Sequence, residues 1–171
     1  MADFVSVWAE RLASQLSEPR RALDLAMGRG RHADALARSG FQVFGVDRDW
    51  ALLGEARRAL ADRGITVRAW CADLTASPLP PSAFQLVVVA RYLQRDLFPS
   101  IRQTVAKGGS VIYETFTVAQ RELGWGPTSP DHLLRPGELE RLFAGFEILF
   151  YEEVPGPEAV ARVVARRPLD P

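Results

Sequence analysis

A short apolar run that passes through glycines directly into a helical segment limits what this chain can become. Residues 22–26 (ALDLA) lead into Met27-Gly28-Arg29-Gly30, and residues 31–39 then read as a helix stopped by Gly40. A strand ending in such a turn sends the chain back across a sheet as a helix, and the next strand runs parallel to the first. The pattern repeats. FQVFGV (41–46) reads as a strand, and residues 49–63 as a helix with Asp49 as N-cap and Gly64 as terminator. ITVRAW (65–70) alternates as a strand does, the three prolines in 75–83 make a loop, and FQLVVVA (84–90) is apolar enough for a strand buried on both faces. A helix over 95–107, ended by Gly108-Gly109, leads to the strand SVIYETF (110–116).

Beyond the irregular stretch 117–135, PGELERLF (136–143) restarts a helix with Pro136 in its first turn. Two strands, 146–154 and 158–166, close the chain as a hairpin around Pro155-Gly156-Pro157. At the other end, Phe4, Val5, Trp8, Leu12 and Leu16 recur at helical spacing, which predicts an amphipathic helix over 4–16 before Pro19. The expectation is a doubly wound, Rossmann-like α/β domain spanning 1–171, with a mostly parallel sheet, one antiparallel strand and helices on both faces.

Composition narrows the partners. The 21 acidic and 21 basic residues balance, so no overall field favours nucleic acid or a membrane surface. Cys71 is the sole cysteine beside two histidines, which leaves neither a disulfide nor a zinc set, so no metal is expected. The N-terminal MADFVSVWAERLASQ lacks the basic start and apolar centre of a secretion signal, and no apolar run reaches the length of a membrane span. A cytoplasmic protein is expected. Nothing in the pattern sets an oligomeric state.

In sheets of this kind ligands bind beyond the carboxyl ends of the strands. Gly28 and Gly30 let the backbone turn sharply there and approach a ligand closely. Asp47, ending the second strand, can accept hydrogen bonds from both hydroxyls of a ribose. Gly28 to Ala33 also fits the dinucleotide pattern G-x-G-x-x-A, so an NAD enzyme is a rival on local sequence. Asp24, an acid where that pattern wants an apolar residue, and the lack of a separate substrate domain count against it.

LDLAMGRGRHA (23–33), GVDRD (45–49), CADL (71–74), ARYLQR (90–95) and YETFT (113–117), in this order and spacing, resemble the class I S-adenosylmethionine (SAM)-dependent methyltransferases over nearly the whole chain. RYLQRDLFPSI, YETF and the downstream LLRPGEL are most similar to the small bacterial subgroup related to tellurite-resistance and thiopurine methyltransferases. The resemblance implies a seven-stranded sheet of order 3-2-1-4-5-7-6 and SAM as cofactor. It implies that Asp24 pairs, directly or through water, with the methionine ammonium, and that Asp47 holds the ribose. Asp73 then meets the adenine amino group between Leu74 and Trp50, although Asp73 alone also reads as a helix cap. Ala26, Arg48, Ala72 and Arg91 complete the expected cofactor set, with Ala26 standing where the family most often has glycine.

The acceptor is less determined. The Asn/Asp-Pro-Pro-aromatic tetrapeptide of enzymes that methylate extruded bases is replaced by Ala90-Arg91-Tyr92-Leu93, so a small-molecule acceptor is expected rather than nucleic acid. Tyr92 either lies against the reacting groups or rims the site; Arg91 either binds an anion or braces an acidic neighbour. Residues 117–135 are the expected substrate loop, carrying Trp125, His132 and Arg135. His132 is the candidate general base, with an exposed loop histidine as the alternative, and Tyr92 is the second catalytic candidate. Glu114 faces the pocket or pairs with an arginine, and the N-terminal segment 1–18 either covers the cofactor cleft or packs on the sheet.

Overall fold

The computed structural model describes residues 3–169, so the first two and last two residues of the expected 1–171 domain lie outside the described residues. It contains the strands β1 (Arg21–Leu25), β2 (Gln42–Asp47), β3 (Val67–Cys71), β4 (Phe84–Ala90), β5 (Val105–Phe116), β6 (Glu147–Val154) and β7 (Val160–Arg166). They form one sheet of order β3-β2-β1-β4-β5-β7-β6. β7 runs antiparallel to both neighbours and all other pairs are parallel.

The helices are α1 (Phe4–Ala13), α2 (Arg31–Arg38), α3 (Trp50–Ala61), α4 (Phe98–Thr104) and α5 (Glu138–Leu142). Strand periodicity assigns them to two faces. Ala22 of β1 with Leu86 and Val88 of β4 packs toward α1, α2 and α3 through Leu12, Leu36 and Leu53. The alternating Leu23, Leu25, Val87 and Val89 pack toward α4 and α5 through Phe98, Ile101 and Leu139. β4 is thus covered on both sides, as the apolar run from Leu86 to Ala90 requires.

α3 begins where expected, with the Asp49 carboxylate accepting from the Leu52 amide at 3.0 Å. α4 ends earlier than 107: β-branched Val105 leaves the helix to pair with Phe84, and Gly108 at φ +72° forms an irregularity inside β5 rather than a helix stop. α1 is shorter than 4–16. It buries Val5, Trp8 and Leu12 against the sheet and α2, with Trp8 tilted on Phe150 at 5.6 Å between centroids. α5 likewise begins later than Pro136, from Gly137 as N-cap.

Residues 117–135 are not irregular throughout. They form 3-10 helices at Val118–Leu123 and Pro130–His132. Fully buried Gln120 donates to the Trp125 carbonyl at 3.0 Å and accepts from the Ala159 amide at 2.9 Å, tying this stretch to the start of β7.

α3 packs directly against the glycine turn. Gly28 and Gly30 have φ of +51° and +72°, but only Gly30 is crowded: a Cβ there would stand 2.9 Å from Leu60 Cδ1, whereas at Gly28 the nearest neighbour would be 3.9 Å away. Gly30→Ala is therefore expected to cost about 2–4 kcal/mol, combining left-handed strain with overpacking. Gly28→Ala is expected to cost about 1–2 kcal/mol from strain alone. Urea denaturation of the two variants checks this, and equal losses would contradict the packing argument.

Candidate functional site

The loops following β1 to β5 enclose a cleft of about 870 Å³ at the carboxyl ends of the strands, within the size range of small-molecule sites. Its first wall comes from the glycine turn and the end of β2. Ala26 lines it at φ +55°, a left-handed conformation costly for any residue with a Cβ. Beyond it the Met27 amide donates to the Val46 carbonyl at 3.0 Å. Asp47 then receives two backbone donors, the Gly28 amide on Oδ2 at 2.8 Å and the Asp49 amide on Oδ1 at 3.1 Å. A carboxylate at the cleft edge is thereby fixed in one orientation.

The next wall follows β3. Ala72, Asp73 and Leu74 line it together with Arg48. Asp73 Oδ1 accepts from the Thr75 hydroxyl at 2.7 Å and the Thr75 amide at 2.9 Å, bonds that hold its carboxyl below the ordinary range. It therefore caps a turn and faces the cleft at once.

Behind the glycine turn, Asp24 lies buried on the α1–α3 side of the sheet. Its Oδ2 has no hydrogen-bond partner among the described residues. Burial, reinforced by the Asp47 charge and opposed by Arg31, pushes its carboxyl up to about 8. His32, at the start of α2, has a buried, unpartnered Nδ1 and is held below the usual imidazole range by burial and by Arg31.

The far wall is built on the β4 and β5 loops. Arg91, at φ +59°, lies over the Phe116 ring at 4.5 Å, hydrogen-bonds Glu158, and has Nε 3.5 Å from Glu114 Oε1. Glu114 continues to Arg162, and Arg162 to Glu152 at 2.9 Å. Arg95 is the second fixed cation. Its Nε and Nη2 clasp the two Glu138 oxygens at 2.6 and 3.0 Å, and its remaining donors reach the Asp131 and Leu133 carbonyls at 3.2 and 2.9 Å. That clasp brings Asp131 and His132 to the cleft. The Tyr92 hydroxyl donates to Gln94, and burial raises its ionisation above the usual tyrosine range.

This geometry agrees with the comparisons. Residues 22–109 match the family model described as a methyltransferase domain. The chain belongs to the methyltransferase family. A demethylmenaquinone methyltransferase of Thermus thermophilus is 39% identical over 87 residues, a match covering 48% of this chain but only 40% of that relative. A SAM-dependent methyltransferase from Mesorhizobium loti shares the fold with a TM-score of 0.70 at 23% identity, over 93% of this chain and 98% of that one. TehB from Haemophilus influenzae gives 0.74 at 15% identity, over 92% of this chain and 61% of that one. Likenesses at these identities are likenesses of fold and single out no subgroup. Family membership settles the choice against an NAD enzyme.

Of the cofactor residues expected in this methyltransferase, Ala26, Asp47, Arg48, Ala72, Asp73, Leu74 and Arg91 line the cleft. Asp24, Gly28 and Gly30 lie behind it, the glycines shaping the turn rather than facing a ligand. Trp50, expected as a wall, is 71% exposed at the start of α3 and is not among the residues lining the cleft. Of the residues expected for the acceptor, Tyr92 and His132 line the cleft, whereas Glu114, Trp125 and Arg135 do not. Glu114 is buried between two arginines, Trp125 stands edge-on to Phe116 at the surface, and the Arg135 amide binds Glu138. None of the described residues of α1 lines the cleft. Gln94, Arg95, Asp96, Phe116 and Asp131 were missed. The first three and Phe116 follow β4 or end β5, so the carboxyl-end rule applied residue by residue finds them.

Asp24 yields a pH prediction. Its folded-state carboxyl titrates near 8 against an ordinary 3.8, so between these values the folded chain keeps a proton that the unfolded chain releases. Stability therefore falls as pH rises through that window and levels off above it. Asp24→Asn removes the loss. Its stability relative to the parent is expected to grow from pH 4 to pH 8 by about 1.4 kcal/mol for each pH unit, several kcal/mol across the window. Thermal melts across pH check this, and a difference independent of pH would contradict it.

Proposed function

We propose that this methyltransferase binds SAM in the cleft and transfers its methyl group to a small-molecule acceptor. The observation that carries this is Asp47, a carboxylate held by two backbone amides at the edge of a cleft large enough for a nucleoside and a second molecule. A carboxylate so fixed suits the two hydroxyls of a ribose. Asp73 and Leu74 then flank the adenine, with Ala72 and Arg48 against its faces. Asp24, with a buried oxygen lacking a partner, suits an ammonium approaching the glycine turn directly or through water. Ala26 and the Arg91 backbone border the methionine chain.

When bound, SAM supplies a methyl group on a sulfonium, which passes to a nucleophile as the carbon–sulfur bond breaks. The chain's task is alignment, holding the nucleophile within about 3 Å of that carbon and opposite the sulfur. Tyr92, Phe116 and His132 border the space where an acceptor would stand. His132 is the residue we propose takes a proton from a hydroxyl or amine acceptor; a thiolate needs none. That the Thermus relative is named for a quinone substrate supports an aromatic small molecule. Free Cys71 fits the cytoplasmic setting we propose.

Isothermal titration with SAM and S-adenosylhomocysteine tests the cofactor half, and no heat at millimolar ligand would overturn it. Asp47→Ala is expected to weaken binding by about 1.5–3 kcal/mol, the loss of charged hydrogen bonds. Labelled-methyl transfer to thiols, phenols and amines tests the reaction.

A further inference from the structure

The two arginines on the acceptor wall look at first like an anion site, and their surroundings argue the opposite. Arg91 hydrogen-bonds Glu158, stands beside buried Glu114 and covers the Phe116 ring. Its Nε, which has no hydrogen bond, is buried and cannot be offered to the cleft. Arg95 spends Nε and Nη2 on both oxygens of Glu138 and Nη1 on backbone carbonyls. Glu114 is shared further with Arg162, which itself holds Glu152. Counted together, Arg91 and Arg162 face Glu114, Glu152 and Glu158, while Arg95 faces Glu138, so the two groups carry an excess of one negative charge. Asp96 and Asp131, both exposed on the same wall, add to it.

An anion entering here would give up its hydration to meet guanidinium groups whose charge is already matched by carboxylates of the protein. The like charges around it would oppose it further. Phe116, Tyr92, Leu93 and Pro127 give this wall aromatic and apolar surface beside Gln94, Thr115 and His132, and Arg48 belongs to the residues proposed for the cofactor. From this we infer that the acceptor is an aromatic molecule that is uncharged or cationic at its reacting end, and that oxyanions and carboxylates are rejected. Arg91 and Arg95 are then positioning residues, the first bracing the β4–β5 loops and the second holding Pro130–Leu133 against the cleft. The inference rests on the proposed methyltransferase site.

The test uses the full chain saturated with S-adenosylhomocysteine, whose own titration reports first and separately on the cofactor reading. Naphthol, naphthylmethylammonium and naphthoate, matched in ring and differing in charge, are then titrated at neutral pH. Naphthol and the ammonium probe are expected to bind at least about tenfold tighter than naphthoate, 1.4 kcal/mol in free energy. Glu158→Gln, which leaves Arg91 with one carboxylate fewer, is expected to narrow that gap by strengthening naphthoate. Naphthoate binding as tightly as naphthol, or no binding by naphthol with the cofactor product in place, would overturn the inference. Failure of S-adenosylhomocysteine itself to bind would instead overturn the cofactor reading beneath it.

Discussion

The hydrogen bond from the Gly28 amide to the Asp47 carboxylate is the contact on which the cleft depends. It joins the turn after β1 to the end of β2 and works because both partners are aimed before they meet. Parallel pairing sets Leu25 opposite Val46, and the Met27 amide on the Val46 carbonyl extends that register by one step into the turn. Ala26 and Gly28, both at positive φ, turn the next amide toward β2. The Asp49 amide fixes the second oxygen while its own side chain starts α3. A carboxylate constrained in this way has lost its rotamer freedom before a ligand arrives, and preorganisation of that kind strengthens binding without adding a contact.

The opposite wall solves a similar problem with charge. Glu158, Arg91, Glu114, Arg162 and Glu152 form one chain of ion pairs linking the β4 loop to β5, β7 and β6. Buried pairs contribute little net stability, because removing the ions from water offsets most of their attraction. What such a chain supplies is register. Glu114 and Arg162 are direct neighbours across the antiparallel β5–β7 pair, and Arg162 and Glu152 across β6–β7. A slip of one residue would leave charges without partners in a poorly hydrated place, so the wall has one arrangement.

Much of this was legible in the sequence, for a reason that also explains what was not. β1 to β4, their parallel pairing and the Asp49 cap follow from local periodicity and from the handedness of strand–helix–strand connections, and the strand order from the family resemblance. Asp47 and Asp73 could be placed because each sits where its strand ends. α4 was drawn too long because Val105 pairs with Phe84, a partner invisible to a local window. The order in 117–135 is invisible to a local window because Gln120 accepts from the Ala159 amide, 39 residues on. Trp50, close in sequence to Asp47, opens α3 exposed and outside the cleft lining, because nearness along the chain does not set which residues a cleft gathers.

The same division runs through the site. The side proposed for the methyl donor is made from backbone amides and short carboxylates at strand ends, groups whose positions are consequences of the fold itself. The side proposed for the acceptor is held by long arginines whose direction is decided by carboxylates 23 to 67 positions away in the chain, as Arg91 is by Glu114 and Glu158. A methyl donor presents the same shape in every reaction, so a binding site written into strand ends can serve all of them. Acceptors differ, and side-chain networks on a loop can be rebuilt without disturbing the sheet. In this chain that network pairs Arg91 and Arg95 with carboxylates of the protein, so their charge alone is a poor guide to what the cleft receives.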